Sequence, residues 1–108
     1  MSAMGNLAAT YNNLGKYTEA EKLEIQVVDS RKKNLGEEHP DTILAMGNLA
    51  STYDYLGKYT EAEELQIQVL DARKKILGEE HPDTILALGN LASTYSDIGR
   101  YKIGRAHV

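Results

Sequence analysis

A segment that begins at His39 returns almost letter for letter from His81, so the chain repeats itself with an offset of 42 residues (81 − 39). The same frame extends toward the start of the chain, because the string Gly-Asn-Leu-Ala occurs at residues 5–8, 47–50 and 89–92. A fixed period of this length is typical of stacked repeat proteins, in which one supersecondary unit cannot bury its apolar face alone. Such an array offers its partners a surface more than an enclosed pocket.

Two helices are predicted in each unit. In the second unit the apolar residues recur at intervals of three and four, as they do on one face of a helix. The first helix is expected to bury Leu44 or Ala45, Leu49, Ala50, Tyr53 and Leu56, and the second to bury Ala62, Leu65, Val69, Leu70 and Leu77. No segment shows the alternating pattern of a β-strand, so the sequence predicts an all-α fold.

The turn between the two helices carries its own signals. Gly57 follows the first apolar stripe and is suited to a left-handed residue that closes a helix. Thr60, with Glu63 three residues later, has the pattern of a capping box that opens the next helix. The unit is therefore predicted to be an antiparallel helix–turn–helix, and successive units are expected to stack as an α-solenoid.

About two and a half such units fit into the chain, at residues 1–36, 37–78 and 79–101. The helices at the two ends are expected at residues 4–14 and 83–98, each with a face that a further unit would cover. Because about three repeats are normally needed for stability, the isolated chain is expected to be marginally stable or to self-associate through these ends.

The repeat stops after Tyr101. Residues 102–108 have no counterpart in the register of residues 60–66, and we predict that they form a non-repeat tail that is artefactual or disordered. Residues 103–108 can be encoded by ATC GGA AGA GCA CAC GTC, which matches a sequencing-library adapter. A source gene that continues with Thr-Glu-Ala-Glu would support the artefact, and one that encodes Ile-Gly-Arg-Ala-His-Val would refute it.

Composition excludes several classes of function. The formal net charge of −4 and the pI near 5.3 argue against nucleic acid or an anionic membrane surface as the main partner, since both require a basic face. The chain has no cysteine, which excludes disulfides and thiolate metal sites. No run is long enough to cross a bilayer and the first residues do not have the pattern of a signal peptide, so a cytoplasmic location is expected.

The string Leu-Ala-x-x-Tyr-x-x-Leu-Gly-x-Tyr-x-x-Ala, present at residues 7–20 and 49–62, is similar to the tetratricopeptide repeat (TPR). The usual period of that family is about 34 residues, and the longer unit here resembles the repeat of kinesin light chains. Similar long repeats also occur in the sensor regions of nucleotide-binding signalling proteins. One departure is Gln66, which stands where many members of the family carry an aromatic residue.

The resemblance implies a concave groove lined by the first helix of each unit, where side-chain amides bind the backbone of an extended peptide. The candidate groove residues are Asn6, Asn13, Asn48, Ser51, Tyr55, Asn90, Ser93 and Asp97. Asp54 belongs to the same polar surface, and Tyr55 is suited to be an apolar anchor. An alternative role for the three repeated asparagines, as bridges between adjacent helices, is weighted equally.

Other candidate sites have simpler interpretations. Chaperone-binding members of the family carry Lys or Arg one turn before the groove asparagine, where this chain has Ser2, Leu44 and Leu86, so capture of a C-terminal carboxylate is not expected. His39 and His81 each precede a Pro-Asp pair and lie in different units, which favours a capping or loop role over zinc. The basic clusters at residues 31–33 and 73–75 are each followed by two glutamates and suit the end of a helix dipole.

The function predicted from the sequence is a protein–protein interaction scaffold that binds a peptide or partner domain in its concave groove. The chain has no phosphate-binding glycine loop and no nucleophile with a partnered base, so neither an enzyme nor a cofactor is predicted. The alternative is a regulatory or sensor region of a larger nucleotide-binding signalling protein or enzyme. A cargo adaptor of the kinesin light chain kind is a third hypothesis, based on resemblance alone.

Overall fold

The structure is a computed structural model that describes residues 7, 10 and 14–106, with side chains described up to Gly99. Within these residues it contains four helices and no strand: α1 (Tyr17–Leu35), α2 (Pro40–Tyr55), α3 (Tyr59–Leu77) and α4 (Pro82–Ala106). None of these helices is long and apolar enough to span a membrane. The helix expected at residues 4–14 lies almost entirely outside the described residues.

Consecutive helices pack against one another, α1 on α2, α2 on α3 and α3 on α4. The loops that join them are only three or four residues long, which makes neighbouring helices antiparallel. Within the described residues, α2 and α3 each pack against the helix before and the helix after, while α1 and α4 stand at the two ends, as expected for a linear array. The all-α solenoid of helix–turn–helix units predicted from the sequence is confirmed.

The turn between α2 and α3 is closed by Gly57, as predicted. Its φ angle is 77°, a conformation that a residue without Cβ adopts at no steric cost. The amide of Gly57 donates to the carbonyl of Asp54 at 3.1 Å, and the amide of Lys58 donates to the carbonyl of Tyr53 at 2.8 Å. This pair of bonds is a Schellman motif, which satisfies the last carbonyls of α2 and reverses the chain.

The predicted capping box at Thr60 and Glu63 is wrong. Helix α3 begins one residue before Thr60, at Tyr59, and its N-cap is Lys58, which makes no side-chain capping hydrogen bond. The Schellman turn already directs the chain into the helix at Lys58, so Thr60 lies inside the first turn instead of at its entrance. The equivalent helix α1 begins in the same way, at Tyr17 after Lys16.

The two histidines cap helices. His39 is the N-cap of α2, and its Nδ1 accepts a hydrogen bond from the amide of Asp41 at 3.1 Å. His81 makes the same bond to the amide of Asp83, also at 3.1 Å. The proline that follows each histidine occupies the first helical turn, where its missing N–H costs nothing. The capping role predicted for both residues is therefore found in the structure.

The core lies between α2 and its two neighbours. Its buried apolar residues are Val27, Val28, Ile43, Ala45, Met46, Leu49, Val69, Leu70, Ala87 and Leu91. Tyr53 and Leu65 are partly buried against this core. Of the two alternatives Leu44 and Ala45, Ala45 is buried and Leu44 is exposed, while Leu77, which was predicted to be buried, is exposed. Leu44 precedes Ala45, which takes the core position instead, and Leu77 is the last residue of α3, where no further helical turn covers it.

Equivalent residues of α2 and α4 differ in burial although their sequences are nearly the same. Ile43 is 5% exposed but Ile85 is 56% exposed, and Met46 is 4% exposed but Leu88 is 53% exposed. By contrast, Ala45 and its equivalent Ala87 are buried to the same extent. The shared buried face contacts the preceding helix, so the face that is buried only in α2 is the one covered by the following helix, α3.

The third unit departs from the predicted pattern at Gly99. The first helix of that unit was expected to end near Ile98, but α4 continues through Gly99 to Ala106. Among the described glycines only Gly15, Gly36, Gly57 and Gly78 have positive φ. A helix breaks only where new contacts compensate for the lost hydrogen bonds, and the described residues after Gly99 form no second helix. The assignment of residues 102–108 as a non-repeat tail stays a prediction.

Candidate peptide-binding groove

Five of the residues predicted for the groove line one cavity of about 320 Å³. The cavity lies where α2, α3 and α4 meet, and its lining consists of Ser51, Asp54, Tyr55, Gln66, Asn90, Ser93 and Asp97. Asn48 is exposed on α2 and does not line it. Asn6 and Asn13 lie outside the described residues. The packing of the helices thus brings together side chains that are up to 46 residues apart in sequence (97 − 51).

Gln66 is the lining residue that the sequence analysis did not assign to the groove. It lies on α3, whose other buried residues are Ala62, Val69 and Leu70, so it is a polar side chain on the buried stripe of an amphipathic helix. That position was the signal available in the sequence, since an amide among apolar neighbours normally has a hydrogen-bonding role. In the comparison with the TPR pattern, Gln66 was noted only because many members of that family carry an aromatic residue at this position.

A buried hydrogen bond joins the first pair of units. The hydroxyl of Thr52, on α2, donates to Oε1 of Glu24 on α1, and both residues are buried. The same hydroxyl also lies 3.2 Å from the carbonyl oxygen of Asn48, one turn earlier. A threonine and a carboxylate, both within the apolar interface, therefore satisfy each other.

The second pair of units does not repeat this arrangement. Thr94 is the equivalent of Thr52 and Gln66 the equivalent of Glu24, each 42 residues further along. Thr94 nevertheless donates to Oδ2 of Asp54 at 3.3 Å, and Oε1 of Gln66 is buried without a hydrogen-bond partner. Thr94 thus bonds to a carboxylate of α2, two helices earlier, whereas Thr52 bonds to a carboxyl group of the helix directly before its own.

The electrostatics of the cavity are set by Asp54 and Asp97. Burial raises the pKa of the Asp54 carboxyl, the negative charge of Asp97 raises it further, and the hydrogen bond from Thr94 lowers it. A raised pKa means that the folded protein holds the Asp54 carboxylate less favourably than water does. Among the side chains described up to Gly99, no lysine or arginine lines the cavity.

An aromatic pair forms one edge of the groove. Tyr55 is 69% exposed, and its ring stacks on that of Tyr17, with centroids 4.6 Å apart and an interplanar angle of 12°. The stacking holds the ring at the start of α1, beside the cavity, with much of its surface open to solvent. Tyr55 is therefore placed where an aromatic contact with a ligand is accessible.

The basic clusters are largely engaged within the molecule. Nη1 of Arg31 donates to the carbonyl of Asp41 at 2.9 Å, and Nη1 of the equivalent Arg73 lies 3.4 Å from Oδ2 of Asp83. Lys75 pairs with Glu38. Each contact ties the end of one helix to a loop or helix start nearby, which agrees with the interpretation of these clusters as helix-end charges.

The histidines and carboxylates in the described part of the chain do not form a group that could bind a metal ion. Among residues 7, 10 and 14–106, no three His, Asp or Glu side chains lie close enough together to hold a metal ion. The two capping histidines belong to different units and each uses Nδ1 to accept from the backbone. The chemistry that the cavity offers is hydrogen bonding and charge, which are the means of recognition.

The sequence matches the family model of the tetratricopeptide repeat over residues 1–75 and again over residues 55–103. The chain belongs to the tetratricopeptide repeat family. The match covers both complete units and the start of the third, so the family assignment holds for almost the whole TPR chain. No match was found among curated proteins.

Solved structures place these TPR units among repeats of the kinesin light chain type. A Podospora anserina protein with nearly identical TPR-like repeats, described as a kinesin light chain, is 34% identical with a TM-score of 0.81, over 93% of this chain and 47% of that one. A point variant of that protein gives the same values. BtubC (BKLC) from P. vanneervenii has a TM-score of 0.81 at 22% identity, over 87% of this chain and 37% of its own, and shares the fold. The chain thus spans less than half the length of each of these proteins.

Proposed function

We propose that this TPR chain is a protein-interaction scaffold that binds a peptide or partner domain in the groove between α2 and α4, without catalysis and in the cytoplasm. The observation that carries the proposal is the cavity over α3, which combines unsatisfied polar atoms with an exposed aromatic ring. TPR arrays in general bind proteins or peptides, and a shallow concave site with a few polar groups suits an extended segment.

The distribution of sequence differences supports the same groove. Residues 39–59 and 81–101 differ at five positions, which pair Met46 with Leu88, Asp54 with Ser96, Tyr55 with Asp97, Leu56 with Ile98 and Lys58 with Arg100. Asp54, Tyr55 and Asp97 all line the cavity. The repeat copies are otherwise nearly identical, so these three residues make the cavity differ from the rest of the array. Such a difference is needed if the groove is to bind one ligand in preference to another.

The proposal is tested by selecting peptides from a random extended library on the immobilised chain and measuring their affinity by isothermal calorimetry. Selected peptides are expected to bind at micromolar Kd and to lose about tenfold in affinity, or about 1.4 kcal/mol, when Tyr55→Ala or Asn90→Ala is introduced.

The matched control is Gln68→Ala. Gln68 is an exposed polar residue of α3 that lines a different cavity, together with Asp29, Lys32 and Leu65. It is expected to leave the affinity unchanged. Peptides that are insensitive to both groove variants but sensitive to Gln68→Ala would place binding on another face and refute the groove as the site.

A further inference from the structure

The cavity between α2 and α4 has acceptor atoms that no donor among the described residues satisfies. Oε1 of Gln66 and Oδ1 of Asp54 are both buried without a hydrogen-bond partner, and Gln66 as a whole is only 7% exposed. Leaving such an atom unsatisfied costs the free energy of removing the group from water, and the cost is larger when the group is charged. Asp54 Oδ1 is an acceptor however the amide of Gln66 is oriented, so the excess of acceptors does not depend on that orientation.

These acceptors are a specific feature of this interface and not a property of the repeat. In the interface between α1 and α2 the equivalent of Gln66 is Glu24, which accepts from Thr52. Here Thr94 is already engaged with Oδ2 of Asp54, and no other side chain that the structure describes donates to Oε1 of Gln66 or Oδ1 of Asp54. At this interface the groove therefore contains buried acceptors that a ligand with hydrogen-bond donors could satisfy.

The charge of the cavity decides which donor fits. Asp54 and Asp97 line it together, and among the side chains described up to Gly99 no lysine or arginine lines it, so a cationic donor gains Coulomb energy that a neutral amide does not. The repulsion by Asp97 contributes to raising the pKa of Asp54, and a bound cation would remove that repulsion. Tyr55 adds an exposed aromatic face at the rim, which favours a flat cation.

We propose that this cavity receives the guanidinium group of an arginine presented by an extended peptide. The guanidinium is planar and carries five N–H donors, so it can satisfy Gln66 Oε1 and Asp54 Oδ1 at once. A lysine ammonium has the charge but lacks the planar geometry for stacking on Tyr55. The volume of about 320 Å³ is sufficient for the end of one such side chain. The proposal rests on the proposed function, since it names the ligand chemistry of the same groove.

The test uses three capped pentapeptides, Ala-Ala-Xaa-Ala-Ala, in which Xaa is arginine, lysine or citrulline. Citrulline keeps the shape and most of the N–H donors of arginine but has no charge. Titrations are followed by NMR through the side-chain amide of Gln66 and the backbone amides of Asp54 and Asp97. The arginine peptide is expected to bind at least about tenfold more tightly than the citrulline peptide, with lysine between them.

Two substitutions that each remove one negative charge distinguish an effect of the cavity on peptide affinity from an effect of the net charge of the protein. Asp54→Asn removes the carboxylate and keeps an oxygen that can accept from Thr94, and it is expected to weaken the arginine peptide about tenfold. Glu79→Gln removes one negative charge from an exposed loop residue that does not line the cavity and is expected to have almost no effect. Gln66→Leu, which removes the unsatisfied acceptor, should weaken binding without changing the net charge.

Equal affinity for the arginine and citrulline peptides would overturn the proposal, as would equal effects of Asp54→Asn and Glu79→Gln. The proposed scaffold function is tested separately by the peptide selection. If selected peptides bind the groove but contain no basic residue, this proposal fails and the scaffold function stands. If no selected peptide depends on Tyr55 or Asn90, the scaffold function itself fails at this site.

Discussion

Replacing residues 102–108 with a copy of residues 60–77 is expected to raise the melting temperature of the chain by roughly 10 °C or more. The extension would follow Tyr101 as α3 follows Tyr59 and would form a second helix for the third unit. It would cover Ile85 and Leu88, which are 56% and 53% exposed while their equivalents beside α3 are buried. Covering half of each such side chain stabilises by about 1 kcal/mol, and the apolar residues of the new helix add a similar amount.

The control for this extension has the same length and helix propensity but no apolar face. In it, the copies of Ala62, Val69 and Leu70, which are buried in α3, are replaced by glutamine. This version is expected to leave the thermal transition, measured by circular dichroism, within about 2 °C of the parent. If both extensions stabilised the chain equally, added helix length and not coverage of the α4 face would be the cause.

The same exposed face is expected to make the parent chain self-associate. Sedimentation velocity should show a concentration-dependent rise in mass for the parent, because contiguous exposed apolar residues favour association. The extended chain should remain monomeric over the same range of concentration. A parent that stays monomeric and melts sharply at high temperature would contradict the expectation.

Thr52→Val is expected to destabilise the protein by about 2–3 kcal/mol, whereas Thr42→Val should stabilise it by up to about 1 kcal/mol. Both threonines are fully buried on α2 and both changes replace a hydroxyl by a methyl group of similar size. They differ in their partners. Thr52 donates to the buried carboxylate of Glu24, but Oγ1 of Thr42 has no hydrogen-bond partner. Removing the first hydroxyl deprives a buried charge of a donor, and removing the second relieves an unsatisfied group.

Urea denaturation followed by circular dichroism measures both changes at a common slope of free energy against denaturant. The double variant Glu24→Leu with Thr52→Val serves as the rescue, because replacing both members of a buried polar pair by apolar groups is often neutral. Equal destabilisation by the two threonine variants would show that loss of packing, and not the Glu24 bond, determines their effect.

Much of the fold follows from local features of the sequence. The period of 42 residues predicts the units. Gly57 predicts the turn, and the histidine-proline pairs predict the starts of α2 and α4, because each acts on the backbone within a few residues. The capping box failed for a local reason as well, since the Schellman turn ends at Lys58 and places the N-cap there, two residues before Thr60. The buried helix faces also follow from spacing, with an error at Leu77, while spacing left Leu44 and Ala45 as alternatives of which Ala45 is buried.

The groove shows where such reasoning ends. Helical spacing placed the candidate groove residues on one face of the first helix of each unit, and the TPR resemblance implied that this face lines the groove. The structure brings five of them around one cavity, namely Ser51, Tyr55, Asn90, Ser93 and Asp97. Neither the spacing nor the resemblance predicted that Gln66 lies at the same place, because its helix was assigned only a core-facing role. The position of Asn48 apart from this cavity was likewise beyond the repeat pattern, which treats Asn48 and Asn90 as equivalent.

The sequence by itself determined the helices, their order and the stacking of the units, because helix periodicity and turn chemistry depend on neighbours within a few residues. Only the tertiary structure decided two things. Identical or similar side chains such as Ile43 and Ile85 are buried or exposed according to whether another helix follows. Thr94 bonds to Asp54 and leaves Gln66 unsatisfied, whereas Thr52 bonds to Glu24. Both outcomes depend on contacts between helices from different units, and those contacts are set by packing in space.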